Sequence, residues 1–159
     1  MTPTATPREP VKSDFNGDGK ADILWQNNST GQRVISLMND TAIQSVVNLA
    51  TVDTSWSIAG SSDFNGDGKA DILWQNTSTG QCRIWLMNGT THTSTVNLGT
   101  VPTSWSIAGS SDFNRNGKAD ILWQNTSTGQ RVILLMNRTA IQSVVNLGTV
   151  DTSWSIRNY

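Results

Sequence analysis

Short apolar runs recur along the chain, each closed off by a polar segment rich in Asn, Thr, Ser and Gly. Ser55–Ser61 (SWSIAGS), Ala70–Gln75 (ADILWQ), Gln81–Met87 (QCRIWLM), Thr93–Leu98 (TSTVNL) and Ser104–Ser110 (SWSIAGS) have the length and the aromatic and β-branched content of strands. The separators NGDGK, NTSTG, NGTT and GTVPT consist of tight-turn residues. No stretch keeps a helical period over a useful length, so the pattern predicts an all-β chain. The runs ILW and RVISLM are apolar at consecutive positions, hence on both faces of a strand. Sheets made from them need a neighbouring sheet on either side.

The pattern repeats. Asp14, Asp63 and Asp112 open the same segment at intervals of 49 residues, and Trp25, Trp74 and Trp123 keep that spacing, as do Trp56, Trp105 and Trp154. Residues 14–61 and 112–159 share 39 of 48 positions without a gap, the mark of recent duplication or deliberate construction. Four short strands in a unit of this length make a β-propeller blade. A β-solenoid is the competing architecture, but its rungs are shorter. The units run 14–62, 63–111 and 112–159. Residues 1–13 form a Thr/Pro-rich linker or tail without the apolar stretch of a signal peptide. Where the first unit should have its SWSIAGS strand, the tail supplies REPVKS. At the other end Thr152–Tyr159 (TSWSIRNY) reads as a leading strand with no unit after it.

Charge narrows the function classes. Lys+Arg number 11 against 12 for Asp+Glu in 159 residues, a net charge of −1. A nucleic-acid footprint needs a basic excess, and a membrane span needs a longer apolar run, so neither partner is expected. Cys82 is alone and forms no internal disulfide. One His (His92) and one Glu (Glu9) leave little for acid–base catalysis, and no enzyme is expected. Aspartate is different: eleven of the twelve acids are Asp, and they cluster.

The cluster is the loop Asp14-Phe15-Asn16-Gly17-Asp18-Gly19-Lys20-Ala21-Asp22, repeated identically over Asp63–Asp71. Oxygen side chains stand at positions 1, 3, 5 and 9, namely Asp14, Asn16, Asp18 and Asp22, then Asp63, Asn65, Asp67 and Asp71. The carbonyl of Lys20 or Lys69 can add a ligand, and Gly at position 6 permits a sharp turn. That is a donor set for calcium. The plainer alternative is a loop whose Asp and Asn cap backbone N–H groups. The third loop has Asp112, Asn114, Asn116 and Asp120, with Arg115 beside them, so it carries one carboxylate fewer and should bind weakly or not at all. An EF-hand begins similarly but needs a Glu at position 12, where Trp25 and Trp74 stand here, and helical flanks.

The segment WSIAGSSDFNGDGKADILW resembles the FG-GAP/VCBS repeat of integrin-α-like β-propellers, over residues 14–159. The resemblance implies a calcium loop between the first and second strands of each blade, ligated by Asp14, Asn16, Asp18 and Asp22 and by Asp63, Asn65, Asp67 and Asp71. In the third blade it carries over to Asp112, Asn114 and Asp120. Family propellers close with six to eight blades, whereas this chain has three. A second copy whose Thr152–Tyr159 completes the first blade would give a six-bladed homodimeric ring.

In a four-strand meander the acidic loops share one rim with the turns at Asn39, Asn88 and Asn137. The NTSTG and TVxTSW loops share the other. There Trp56, Trp105 and Trp154 lie near Asn27, Asn76 and Asn125, a combination that suits a sugar ring, although the indoles equally suit the wedge between blades. Trp25, Trp74 and Trp123 read as core. Trp85 reads as packing, Cys82 as an inert thiol, and His92 as exposed. Asn-x-Ser/Thr triplets such as Asn76-Thr77-Ser78 read as turn chemistry or glycan acceptors. Three functions remain: a multivalent, calcium-stabilised carbohydrate-binding module; a protein-adhesion module; or a self-assembling scaffold. Calcium at extracellular affinity favours a secreted or cell-surface setting.

Overall fold

A computed structural model describes residue 2 and residues 10–157. Its described residues contain eleven strands, β1 (Ile23–Gln26), β2 (Gln32–Asn39), β3 (Ala42–Thr51), β4 (Trp56–Ser62), β5 (Asp71–Asn76), β6 (Gln81–Asn88), β7 (Thr91–Thr100), β8 (Trp105–Ser111), β9 (Asp120–Asn125), β10 (Gln130–Asn137) and β11 (Ala140–Thr149). They form three antiparallel meander sheets: β1-β2-β3, β4-β5-β6-β7 and β8-β9-β10-β11. We call these blades 1, 2 and 3. Among the described residues, blade 1 has no counterpart of the inner strand that β4 and β8 supply to the other two.

Local chemistry sets the strand ends. The inner strand begins at Trp56 rather than Ser55 because Ser55 is used in the preceding turn, where its N–H and hydroxyl both donate to Asp53 Oδ1 (2.8 and 2.6 Å). The outer strands are longer than predicted, ten residues each, and follow their partners through two register shifts that recur in all three blades. Thr152–Tyr159 departs from the prediction. Residues 152–157 form a turn and extended chain without ladder pairing, and 158–159 lie outside the described residues. Among the described residues no strand lies beside this segment, so no ladder forms.

The core is the pair of junctions between blades. At the first, Phe15, Ile35 and Val52 of blade 1 meet Ala70, Ile72, Trp74, Trp85 and Met87 of blade 2. At the second, Phe64, Leu73, Cys82 and Ile84 of blade 2 meet Ala119, Ile121, Trp123 and Met136 of blade 3. All six residues of β5 are buried, as expected of a strand covered on both faces. Trp74 is 0% exposed and Trp123 is also buried, but Trp25 is 51% exposed. The expectation that Trp25 is core is thus corrected: no blade covers its face. Towards the inner edge β4 and β8 approach closely, with Ser62 Oγ 2.7 Å from Ser110 Oγ. A Cβ on Gly60 would stand 2.8 Å from Ser110 Oγ, so the glycine permits the approach.

Each Asn-x-Ser-Thr-Gly turn is closed by its own residues. Asn76 Oδ1 accepts the N–H groups of Ser78 (2.9 Å) and Thr79 (3.0 Å), and Gly80 N–H donates to the Asn76 carbonyl at 2.9 Å. Gly80 has φ +79°, and a Cβ there would lie 1.8 Å from the Val101 carbonyl oxygen. Gly80→Ala is therefore expected to cost about 3 kcal/mol or more. Gly99→Ala, at φ +97° with open space around it, should cost about 1–2 kcal/mol. Urea unfolding of the two variants checks this, and equal losses would show that the close approach to Val101 is unimportant.

Candidate functional site

The second and third acidic loops join an inner strand to the next strand of its blade, at 63–70 between β4 and β5 and at 112–119 between β8 and β9, and the first loop leads into β1. In the first loop Asp14 Oδ1 accepts N–H bonds from Gly17 (2.7 Å) and Asp18 (3.2 Å), and Oδ2 accepts one from Gly19 at 2.7 Å. The second loop repeats them: Asp63 receives Gly66 at 2.6 Å, Asp67 at 3.2 Å and Gly68 at 2.8 Å. Asn16 and Asp18 each accept the N–H two residues on, from Asp18 (3.1 Å) and Lys20 (2.9 Å). The ninth residue anchors the loop to the sheet. Asp22 Oδ2 accepts Phe15 N–H and its Oδ1 accepts Met38 N–H, both at 2.9 Å. Asp71 and Asp120 make the same pair of bonds, to Phe64 and Met87 and to Phe113 and Met136.

Chemically, the set fits calcium in kind, because each side chain offers oxygen and an ionised carboxylate retains acceptor capacity beyond these bonds. The loop's own N–H groups already hold the carboxylates, and the described residues contain no group of three His, Cys, Asp or Glu placed to hold a metal ion. Charge balance is unusual at Asp71. Burial pushes its carboxyl up to about 6, against the pull of N–H bonds from Met87, Phe64 and Asn65 and with the Asp67 charge nearby. These donors are all neutral.

The third loop keeps Asp112 bonded to Asn116 (3.1 Å) and Gly117 (2.7 Å), and Asn114 Oδ1 accepts from Asn116 at 3.1 Å. Arg115 stands where the others have Gly17 and Gly66, and it adopts φ 60°, a left-handed conformation that costs a non-glycine residue about 1–2 kcal/mol.

The structure assembles both predicted rims. Lys20 Nζ donates to Asn39 Oδ1, Lys69 to Asn88 at 2.7 Å and Lys118 to Asn137 at 2.8 Å, tying each acidic loop to the turn beside it. On the opposite rim Asn76 Nδ2 reaches Ser55 Oγ at 3.0 Å. Asn27 and Asn125 cap their own turns as Asn76 does. Trp56 and Trp105 are half-buried and pack against the first and second junctions respectively, and the Arg83 guanidinium lies 3.8 Å from the Trp56 ring centroid. Trp154 is 70% exposed. His92 is exposed and stacks on Trp85, with centroids 4.2 Å apart. Cys82 is buried, and burial pushes its thiol up to about 11.

Residues not singled out in the sequence hold the blades together. Gln26 Oε1 accepts Ile58 N–H (2.8 Å), and Gln75 Oε1 accepts Ile107 N–H (2.9 Å), each from the next blade. The Arg33 guanidinium donates to the Trp56 carbonyl at 2.6 Å. In blade 2 Cys82 replaces that arginine, and Gln75 Nε2 donates to the Trp105 carbonyl instead, at 2.7 Å. The signal was available: Gln follows ILW in all three units, a polar residue kept beside an apolar run.

Arg115→Gly should relieve the left-handed strain and leave the third loop free to gain the N–H bond to Asp112. The expected gain is about 1 kcal/mol, a rise of roughly 2–4 °C in Tm. A scanning-calorimetry midpoint that falls would contradict the strain.

The FG-GAP-like repeat family model matches this chain twice, over residues 14–74 and 63–123. Each match starts at the first Asp of an acidic loop and runs through the ILW of the next blade, so it spans one junction. Comparisons with curated proteins and with solved structures find no match. With matches over more than half of its length, the chain belongs to the FG-GAP-like repeat family, a β-propeller-type repeat protein.

Proposed function

We propose that this protein is a non-catalytic binding module, a calcium-binding propeller segment that presents weak carbohydrate sites in several copies. The observation that carries this reading is the repetition of one loop geometry: the same carboxylate-to-N–H bonds recur in the first two loops, on the same rim, with the third loop a near copy. Calcium would be held by Asp14, Asn16, Asp18, Asp22 and the Lys20 carbonyl, and by Asp63, Asn65, Asp67, Asp71 and the Lys69 carbonyl. It would supply the positive charge that the buried Asp71 carboxylate lacks. Asp112, Asn114, Asn116 and Asp120 offer one carboxylate fewer beside Arg115 and bind last. A calcium-dependent module of millimolar affinity belongs in a secreted or cell-surface setting.

The residue inventory supports the non-catalytic part. The single His stacks on Trp85 at the surface, and the single thiol is buried with a raised pKa. Support for carbohydrate comes from the half-exposed indoles of Trp56 and Trp105, on the same rim as the Asn27, Asn76 and Asn125 turns, where repeated weak contacts add through multivalency. The adhesion reading needs one asymmetric epitope, which near-identical blades do not favour. A scaffold without ligand is the second reading, favoured by the open end faces of the blade stack.

Isothermal titration should find two calcium sites at about 10⁻⁴–10⁻³ M, and three after Arg115→Gly with Asn116→Asp restores the loop sequence. With roughly 5 mM calcium the Tm should rise by about 5–10 °C. An unchanged midpoint on adding chelator argues against calcium. For the ligand, a glycan array in calcium should show binding that weakens when Trp56 or Trp105 is replaced by Ala. Silence across the array leaves the scaffold.

A further inference from the structure

The two ends of the blade stack are the two unlike halves of a junction the chain already makes twice. On blade 3 an open cavity is lined by Phe113, Leu122, Arg131, Ile133 and Val150. Phe113, Leu122 and Ile133 correspond by the 49-residue repeat to Phe64, Leu73 and Ile84, the blade 2 half of the second junction. On blade 1 a second cavity is lined by Trp25, Gln26 and Val34, among others. Trp25 corresponds to Trp74 and Trp123, each of which fills the receiving half of a junction. Phe113 is 39% exposed, whereas Phe15 and Phe64 are fully covered.

The backbone carries the same signature. Residues 151–156 are built like 53–58. Asp151 Oδ1 accepts Ser153 N–H at 2.9 Å, and Trp154 N–H donates to the Asp151 carbonyl at 3.0 Å. The Arg131 guanidinium holds the Trp154 carbonyl at 2.7 Å, and Gln124 Oε1 accepts Ile156 N–H at 3.5 Å. The segment is thus docked on blade 3 as an inner strand would be, with no ladder on its other side. At the far end β1 has β2 on one edge and, among the described residues, no strand on the other.

We propose that a second copy of this chain covers blade 1, laying its Trp154–Arg157 segment antiparallel along the free edge of β1 while its blade 3 face packs on Trp25. By the register of β4 on β5, where Trp56 pairs with Asn76 and Ile58 with Trp74, the new ladder pairs Trp154 with Asn27 and Ile156 with Trp25 of the other copy. The two surfaces are unlike, so the contact is head-to-tail, and two copies joined twice close a ring with a twofold axis. Propellers have typically four to eight blades, and six is the multiple of three within that range. The unpaired strand edge and both apolar faces are then covered at once. The inference stands apart from the calcium and carbohydrate readings, since neither ligand takes part in the contact.

Multi-angle light scattering of the full chain at tens of micromolar should give twice 17.3 kDa, with or without calcium. Trp25→Lys and Leu147→Lys change one half-exposed residue on each end face, and each alone should be monomeric with native far-UV circular dichroism. Mixed, the two should recover the dimer mass, because each retains the half the other lacks. Should Trp25→Lys not fold, Val46→Lys on the same blade 1 face takes its place, and should Leu147→Lys not fold, Val150→Lys on the blade 3 face does. A native chain of monomer or trimer mass, variants that stay dimeric, or a mixture that stays monomeric overturns the proposal.

Discussion

Every sheet in this protein is apolar on both faces, and covering both is the constraint from which the rest follows. A strand such as β5 cannot sit at a surface, because Ile72 and Trp74 need shielding on one face and Leu73 on the other. Blade 2 meets the condition, since blades 1 and 3 lie on either side of it and take up Trp74 and Leu73. The terminal blades meet it on one face each. The difference shows in side chains that are identical in sequence: Trp25 and Trp74 occupy the same place in the repeat, one half-exposed and the other fully buried.

Polar groups make this stacking specific. A hydrophobic face alone allows neighbouring sheets to slide, but Gln26 and Gln75 each accept a backbone N–H from one residue of the next blade, which sets the register between them. The ninth-position aspartates do the corresponding work within a blade. Each spans from the loop phenylalanine N–H to the methionine N–H of β2, β6 or β10, so the loop is tied to its sheet. Burial of such a carboxylate is costly when its partners are neutral, which is why Asp71 holds its proton to about pH 6.

Variation among the repeats shows where that design tolerates change. Ser36 accepts the Trp25 indole N–H at 2.9 Å, and its counterparts Trp85 and Leu134 exchange that bond for packing, leaving the Trp74 and Trp123 indole nitrogens without a partner. Trp74 gains an aromatic neighbour in return, with Trp85 at 4.9 Å. Cys82 in place of an arginine is absorbed because Gln75 takes over the carbonyl.

Sequence alone determined the repeat length, the short strands and the turn residues, because these are local. Short apolar runs, turn chemistry and a strict 49-residue spacing report on the chain near each residue. It also located the acidic loops and placed them on the rim with the Asn39, Asn88 and Asn137 turns, which the lysine bonds connect. What it left open was whatever depends on a neighbour. Trp25 reads as core by composition, and whether it is covered depends on a blade beside it. TSWSIRNY reads as a strand, yet a strand exists only against a partner, so residues 152–157 stay unpaired beside blade 3. Whether the loop oxygens face one another or their own N–H groups was equally undecided, because both arrangements use the same residues at the same spacing. Tertiary structure decided these points, since burial and pairing are relations between distant parts of the chain.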